Sequence, residues 1–286
     1  MRRVAPPAQR ANALRGATLF QPVTASQEYA SKILRAFDEM RAATEREILQ
    51  VYRHHSSAAI IDPADGGTMD AASLPTLLER VIKRLRDRFM LQFKQLSKTA
   101  VPSMVDRMKQ DSDTRMRASL KEISADLTIK MDKVPAGIKD IISAGSKQAA
   151  EYIRIVPERY LNEIAGATMR SITTGRGLAD LVPALEKQGV EKRNWARNVA
   201  LDQTRKVYNA INKERMRSLG IKKFQWVHSG GSQQPREYHK FTLNGQIYDI
   251  DDPPIIDQRT GERGYPGQLP YCRCTMRPVI EFDEED

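Results

Sequence analysis

The sequence predicts a mainly α-helical N-terminal region followed by a small α+β C-terminal lobe. From residue 26 to about residue 220, apolar residues recur at helical spacing over long stretches. Beyond Phe224 the apolar residues alternate instead, which is typical of strands. That last stretch also contains both cysteines, two of the four histidines and many turn-forming residues. The change of pattern separates a long helical region from a short segment with denser chemistry.

Length and composition indicate a folded protein. With 286 residues, of which 40% are hydrophobic, the chain is long enough for one large or two modest domains with a buried core. It has no run of about 18 uncharged apolar residues, so no membrane partner is expected. The first residues lack the apolar segment of a secretory signal, and we expect folding in the cytosol. Two cysteines one residue apart are expected to stay reduced there.

The formal net charge of +10 is concentrated in the N-terminal half of the chain. Residues 1–25 contain four arginines and no acid, and residues 80–121 contain twelve lysines or arginines against four aspartates. This concentration favours a polyanion or an acidic protein surface as a partner. Arg80, Arg84 and Arg88 recur at i, i+4 and i+8, and are candidate nucleic-acid contacts. A solvated helix face explains the same pattern, and the sequence leaves both interpretations open.

The first half of the chain is predicted to hold a flexible arm and four helices. Residues 1–25 are basic and proline-rich without periodicity, which is typical of an arm that orders only against a partner. Apolar spacing predicts one helix over residues 26–53 and a second, long helix from Leu74. Pro102 and Pro135 are expected to begin the third and fourth helices, because proline cannot continue a helix from its interior.

Three further helices are predicted before the lobe. The first covers residues 160–175, and the second covers residues 177–188 and is closed by Gly189. The third covers residues 191–219, with Gly220 as its terminator. The loops between them are short, which favours antiparallel neighbours.

The lobe is predicted to contain a small sheet. Phe224, Trp226 and His228 alternate as in a strand. Phe241, Leu243 and Ile247 predict a hairpin that turns at Asn244 and Gly245. The alternating residues 276–280 are expected to close the sheet.

Several residues of the lobe occur in an order that resembles a known family. The order is a strand that contains Trp226, then Arg236 and His239, then a Leu-Asn-Gly turn at residues 243–245, then a Pro-Gly pair and Cys-Arg-Cys. It is similar to the C-terminal signature of the phage Mu F-like minor head proteins, which serve phage head morphogenesis. The similarity extends upstream to about residue 160 and covers roughly the last 120 residues. The signature residues expected to have structural roles are Trp226, Arg236, Gly245, Pro266, Gly267 and Arg273.

The resemblance implies a structural minor head protein, or minor capsid protein, of a tailed bacteriophage. It implies a role in head morphogenesis at or near the portal vertex, with the portal protein as a partner. The major capsid protein, a scaffolding protein and packaged phage DNA are further partners to be considered. The implied location is the virion head, reached through assembly in the host cytoplasm. No enzymatic activity is expected.

A metal site is the sharpest chemical hypothesis for the lobe. Cys272 and Cys274 are able to ligate one zinc ion if the backbone bends at Arg273. His239 supplies a third ligand, and His228 or a nearby aspartate supplies the fourth. The candidate aspartates are Asp249, Asp251, Asp252 and Asp257. The alternative is that both thiols are small buried hydrophobic groups and His239 is a satisfied polar residue.

Two other functional classes remain to be weighed against a head protein. A free-standing nucleic-acid-binding protein is favoured by the sequence pI of about 9.6, but the chain lacks a helix-turn-helix, finger or RNA-recognition signature. A zinc-dependent hydrolase that uses the His/Cys lobe is the other alternative. The sequence contains no Gly-rich phosphate loop of the required spacing, no Gly-x-Ser-x-Gly and no His-Glu-x-x-His motif to support it.

The predicted organisation of the chain has four parts. They are a flexible basic arm at residues 1–25, a basic helical region for assembly contacts at residues 26–155 with a loop at residues 62–67, the family-like helices and lobe at residues 156–280, and an acidic tail at residues 281–286.

Overall fold

Four long helices make up most of the computed structural model, which describes residues 13–58, 73–123, 136–230 and 235–281. The helices are α1 (Val23–Ala58), α2 (Leu74–Lys121), α3 (Ala136–Thr173) and α4 (Leu178–Ser218). A small region of short strands follows α4, so the predicted fold class is confirmed. None of the helices in the described part of the chain is both long and apolar enough to cross a membrane.

Within the described ranges, six short strands form two antiparallel sheets. They are β1 (Ala13–Arg15), β2 (Lys223–Val227), β3 (Ile247–Asp249), β4 (Ile255–Asp257), β5 (Glu262–Arg263) and β6 (Thr275–Glu281). The first sheet has the order β1-β6-β2-β3, and β4 and β5 form the second. The predicted strand around Trp226 is therefore confirmed, and so is the closing strand, which places Met276 opposite Trp226.

Helix α2 continues through Pro102, so the predicted break there is wrong. Pro102 is exposed, and the carbonyl that it leaves without an α-helical hydrogen bond belongs to Lys98, which is also exposed. The residues beside the proline, Val101, Met104 and Val105, are all buried. Their packing outweighs the local preference of proline to end a helix.

The predicted end of a helix at Gly189 is also wrong, because α4 runs through this residue. Gly189 is buried, and a Cβ atom added to it would lie 2.7 Å from Cδ of Arg41. The glycine therefore makes room for the arginine side chain and does not terminate the helix. Helix α3 likewise includes Pro157 in its interior, upstream of the start predicted near residue 160.

Residues Tyr238–Leu243 form a π-helical turn where the first arm of a hairpin was predicted. The buried residues of this turn are His239 and Leu243, four residues apart, whereas Phe241 between them is 70% exposed. The burial therefore follows a helical period and not the alternation of a strand. The turn at Asn244 and Gly245 leads into β3, which pairs with β2.

The chain divides into two compact units that alternate along the sequence. Unit 1 comprises residues 1–23, 105–145 and 204–286, and unit 2 comprises residues 24–104 and 146–203. The boundary predicted near residue 155 falls inside α3, and each unit contains residues from both sides of it.

Part of the predicted flexible arm belongs to the fold of unit 1. Strand β1 pairs with β6, and the Leu19 backbone N–H donates a hydrogen bond to the Met276 carbonyl. The Thr275 hydroxyl in turn donates to the Leu19 carbonyl over 2.6 Å. The physical reason is that the free edge of β6 offers backbone partners that sequence periodicity does not reveal. Residues 1–12, the predicted loop at residues 62–67 and residues 282–286 of the acidic tail lie outside the described residues.

Unit 1 has one apolar core, to which its helices, its strands and the segment after β1 all contribute. Leu19 and Trp226 are both 0% exposed within it. The other members are Met116, Leu120, Met216, Ile221, Phe224, Leu243, Ile250, Ile256, Leu269, Cys272, Cys274 and Met276. Both cysteines therefore lie inside a continuous hydrophobic core.

Polar contacts between α2 and α4 fix the end of α4 within unit 1. The Arg215 side chain is 3% exposed and forms an ion pair with Asp113. One turn away, the Ser112 hydroxyl donates a hydrogen bond of 2.6 Å to the Asn212 side chain. Because buried charged and polar groups are costly without partners, these contacts restrict the relative placement of the two helix segments.

The burial of Leu19 predicts that the segment after β1 stabilises unit 1. We expect Leu19→Ala to lower the free energy of unfolding by about 2–5 kcal/mol, because a fully buried leucine leaves a cavity. The matched control is Phe20→Ala, whose side chain is 48% exposed. We expect this control to lower the free energy of unfolding by less than about 1 kcal/mol.

Urea unfolding read by Trp226 fluorescence in a Trp195→Phe background measures both variants. Small and equal losses for Leu19→Ala and Phe20→Ala would restore the flexible-arm interpretation.

Candidate metal centre

His239, Cys272 and Cys274 come together inside unit 1. His239 lies on the π-helical turn, and both cysteines lie in the segment that leads into β6. The three side chains are 2%, 3% and 4% exposed, respectively. Their potential ligand atoms all lie within 4.8 Å of one another. Three metal-binding side chains thus converge from two segments at one buried point.

Both sulfur atoms approach the same ring nitrogen. The Cys272 Sγ atom lies 3.4 Å from His239 Nδ1, and the Cys274 Sγ atom lies 3.8 Å from it. The other ring nitrogen, Nε2, lies 2.8 Å from the Ile256 carbonyl oxygen, to which it donates when protonated. This contact orients the imidazole so that Nδ1 faces the two thiols.

Trp226 closes one side of the cluster. Its ring packs edge-on against His239, with ring centroids 5.1 Å apart and an interplanar angle of 76°. The indole N–H has no hydrogen-bond partner of normal geometry among the described residues. It nevertheless lies near enough to Cys274 to act on the pKa of that thiol. The tryptophan of the sequence signature is therefore part of the wall of the cluster.

The two thiols have opposite pKa shifts. A hydrogen bond from Cys274, assisted by His239 and opposed by burial, holds the pKa of Cys272 well below its usual range. The same hydrogen bond and burial raise the pKa of Cys274, and the Trp226 N–H only partly offsets this effect. Burial alone would lower the pKa of His239, but hydrogen bonds to Cys272 and the Ile256 carbonyl raise it. The opposite shifts of the two thiols therefore share one cause, the hydrogen bond between them.

Asn209 of α4 holds the backbone beneath the cluster. Its side-chain amide donates to the Pro266 carbonyl over 3.1 Å and to the Cys274 carbonyl over 3.3 Å. Gly267 follows with a φ of +80°, and a Cβ atom there would lie 2.2 Å from Asn209 Nδ2. The glycine of the Pro-Gly pair is therefore required by the close approach of α4.

The remaining signature residues have local structural contacts. Arg236 donates to the Pro270 carbonyl over 3.1 Å, so it restrains the loop before the cysteines through a backbone carbonyl. The Gly245 N–H donates to the Trp226 carbonyl over 2.8 Å and fixes the turn after the π-helical segment. Arg273 is exposed, and Tyr271 just before the cysteines has a φ of +59°. The bend expected around Arg273 therefore begins at Tyr271.

The structure does not bring the predicted fourth ligands into the cluster. His228 lies beyond the end of β2, and its Nδ1 atom accepts a hydrogen bond of 3.2 Å from the Gly230 N–H. Among the described residues, only the three side chains above form a group with metal-ligand spacing. The four candidate aspartates have other contacts, with the Asp251 N–H, Arg217, Arg263 and the Arg259 N–H as their respective partners.

The three predicted nucleic-acid contacts lie on α2 in unit 2. Arg84 pairs with Glu47 at 2.7 Å and Arg88 with Glu39 at 3.3 Å. The Arg88 guanidinium also lies 4.8 Å from the centroid of the Phe89 ring. These acidic partners on α1 reduce the net positive charge of the α2 face that carries the arginines. The prediction that it contacts DNA stays a prediction.

Sequence reasoning missed two residues that shape the cluster. Asn209 was predicted only to lie in a helix, and it contacts the backbone beneath the cluster. Ile256 orients His239 through its backbone carbonyl, which no side-chain pattern reveals. A buried asparagine on the apolar face of α4 was the one available signal, because a buried amide needs hydrogen-bond partners.

The fold and the site define a helical protein with a small C-terminal module, residues 223–281, whose strands surround a buried His/Cys cluster. Residues 162–277 match the family model described as phage Mu protein F like protein. This chain therefore contains a phage Mu protein F-like region, and the resemblance predicted from the sequence is confirmed.

Comparison with curated proteins gives one relative that bears no functional name. An uncharacterised protein from Haemophilus influenzae is 29% identical to this chain over 144 residues. The match covers 50% of this chain and 30% of the relative. No solved structure matches the chain.

The close approach of Asn209 predicts that Gly267→Ala is more destabilising than an alanine at another glycine with positive φ. Gly261 is the matched control, because its φ is +73° and nothing lies within 4 Å of an added Cβ atom. Gly261→Ala should lower the free energy of unfolding by about 1–2 kcal/mol through backbone strain alone. Gly267→Ala should lower the free energy of unfolding by about 1 kcal/mol more than Gly261→Ala does, because the added methyl displaces Asn209.

Chemical unfolding of the two variants measures this difference. Equal losses would show that Asn209 yields freely and does not fix the Pro266 and Cys274 carbonyls.

Proposed function

We propose that this protein is a structural minor head protein of a tailed bacteriophage that acts in head morphogenesis at or near the portal vertex. The observation that carries the proposal is the match of residues 162–277 to the phage Mu protein F-like family. The proposed location is the virion head after assembly in the host cytoplasm. The portal protein is the proposed principal partner, and the major capsid protein or a scaffolding protein is a further one.

The geometry of the His/Cys cluster favours a structural role over hydrolysis. A hydrolytic zinc site needs access for substrate and, in many cases, a carboxylate that acts as a general base. Here all three potential ligands are buried, and no carboxylate joins them among the described residues. The zinc-dependent hydrolase is therefore the less favoured alternative.

The long helices are the proposed source of the assembly contacts. Leu91 on α2 and Val190 on α4 are 58% and 59% exposed, and both belong to unit 2. Interface cores are depleted of charged residues, so an exposed apolar side chain on a largely charged helix is a candidate contact. We propose that such positions contact the portal or another head protein.

A second contact, with packaged DNA, is proposed for the basic face of α2. Arg84 is 69% and Arg88 50% exposed although each is paired with a glutamate. Surface ion pairs contribute only about 0–1 kcal/mol, so a phosphate is able to replace the glutamate as the partner. Contacts of this kind would be independent of base sequence.

Co-purification with the portal protein from the same genome tests the proposed partner. We expect the full chain to co-purify with the portal, and Leu91→Asp to weaken the association about tenfold or more if this position is an anchor. The matched control is Phe241→Asp, which changes an apolar residue that is 70% exposed in the C-terminal module. It should leave the association unchanged.

Two outcomes contradict this proposal. A chain that ignores the portal but binds DNA would be the nucleic-acid-binding protein of the alternative hypothesis. Loss of association with Phe241→Asp but not with Leu91→Asp would move the interface to the C-terminal module.

The DNA contact has its own test in the salt dependence of binding. We expect duplex DNA to bind without sequence preference and with an affinity that falls steeply as salt rises. Replacing Arg80, Arg84 and Arg88 with glutamine should flatten the slope of log K against log salt by about one unit for each lost phosphate contact. Fluorescence anisotropy at several salt concentrations measures the slope. An unchanged slope would identify these arginines as a solvated helix face.

A further inference from the structure

We propose that His239, Cys272 and Cys274 bind one zinc ion, with Nδ1 of His239 and both Sγ atoms as the ligands. The ion would join the π-helical turn to the segment that leads into β6. This inference rests on the geometry of unit 1 and does not depend on the proposed role in a phage head.

The observed distances fit a shared metal ion. With zinc–sulfur bonds of about 2.3 Å and zinc–nitrogen bonds of about 2.0–2.1 Å, a tetrahedral zinc holds its sulfur and nitrogen ligands about 3.6 Å apart. The two sulfur-to-Nδ1 distances are 3.4 and 3.8 Å. They fall on either side of the tetrahedral value, so each sulfur–nitrogen distance needs to change by only about 0.2 Å. The two sulfur atoms lie at most 4.8 Å apart, against about 3.8 Å in a tetrahedral zinc site.

Hydrogen bonding alone satisfies the cluster poorly. The Nδ1 atom of an imidazole has either one lone pair or one proton, so it forms one good hydrogen bond. Two sulfur atoms compete for it, and Nε2 is already engaged with the Ile256 carbonyl. A cation among the three atoms would satisfy all of them at once. The contact of Nε2 with a backbone carbonyl is also the usual support of a histidine that ligates zinc through its other nitrogen.

The donor set matches the charge of a divalent cation. Zinc binding would release the thiol protons of Cys272 and Cys274 to solvent and leave two thiolates and a neutral imidazole. The two negative charges would balance the charge of Zn²⁺.

The strands around the cluster are short, and their connections are long. The strands β1, β2, β3 and β6 have 3, 5, 3 and 7 residues, and the long irregular segment between β3 and β6 contains only the two short strands β4 and β5. A metal ion would add a cross-link to this segment, beyond the apolar core that already stabilises unit 1. Asn209 holds the Cys274 carbonyl through a side-chain hydrogen bond.

Three protein ligands leave one tetrahedral position for a water molecule or another external donor. His228 is engaged with the Gly230 N–H, and it does not belong to the cluster. The proposal therefore makes a distinct prediction for the two histidines of the lobe. Replacing His239 should remove a ligand, whereas replacing His228 should not.

The experiment uses the full chain, purified without chelators, and measures zinc by mass spectrometry. We expect about one zinc per chain in the wild type and in His228→Ala, and loss of the metal in the Cys272→Ser, Cys274→Ser double variant. Because that double variant could fail to fold, the wild-type chain is also stripped of metal and titrated with Co²⁺. Sulfur-to-cobalt charge-transfer absorption, together with the visible bands of a tetrahedral ion, is the expected result.

Three results would overturn the proposal. The first is a wild-type chain without zinc that also gives no sulfur-to-cobalt absorption. The second is a Cys272–Cys274 disulfide, found by thiol titration of the denatured, unreduced protein. The third is a loss of zinc in His228→Ala while His239→Ala retains it.

Discussion

The pairing of β6 with two other strands is the constraint on which the rest of unit 1 depends. Its residues bond to β1 on one side and to β2 on the other, and it begins directly after Cys274. The register places Met276 opposite Trp226. Because a slip of one residue would turn every side chain to the opposite face, this register also sets where Cys274 lies relative to Trp226 and His239.

Distant parts of the chain are brought to the cluster by the same strand. The segment around Leu19 covers β6 through backbone bonds and the Thr275 hydroxyl, and Asn209 of α4 holds the carbonyl of Cys274. Closing such long loops costs conformational entropy, although the cost grows only slowly with loop length. Burial of Leu19 and Trp226 in one core offsets it. The interleaved composition of unit 1 follows from these contacts.

Much of the fold and part of the site were predictable from the sequence, for identifiable reasons. The helices and the strand around Trp226 follow apolar spacing, and burial enforces that spacing. The π-helical turn, the pairing of β1 and the continuation of α2 through Pro102 were not predictable, because tertiary packing overrides local preference at these points. For the same reason, composition placed His228 and His239 in one candidate ligand set, and only the orientation of each side chain separates them.

In the proposed site, one histidine and two cysteines hold a metal ion that closes the C-terminal module. The most direct measurement is an anomalous difference map at the zinc absorption edge, from crystals of the full chain grown without chelators. The account predicts a peak about 2.0–2.3 Å from His239 Nδ1 and from the Sγ atoms of Cys272 and Cys274. A map without a peak there, in crystals whose two cysteines are reduced and ordered, would contradict it.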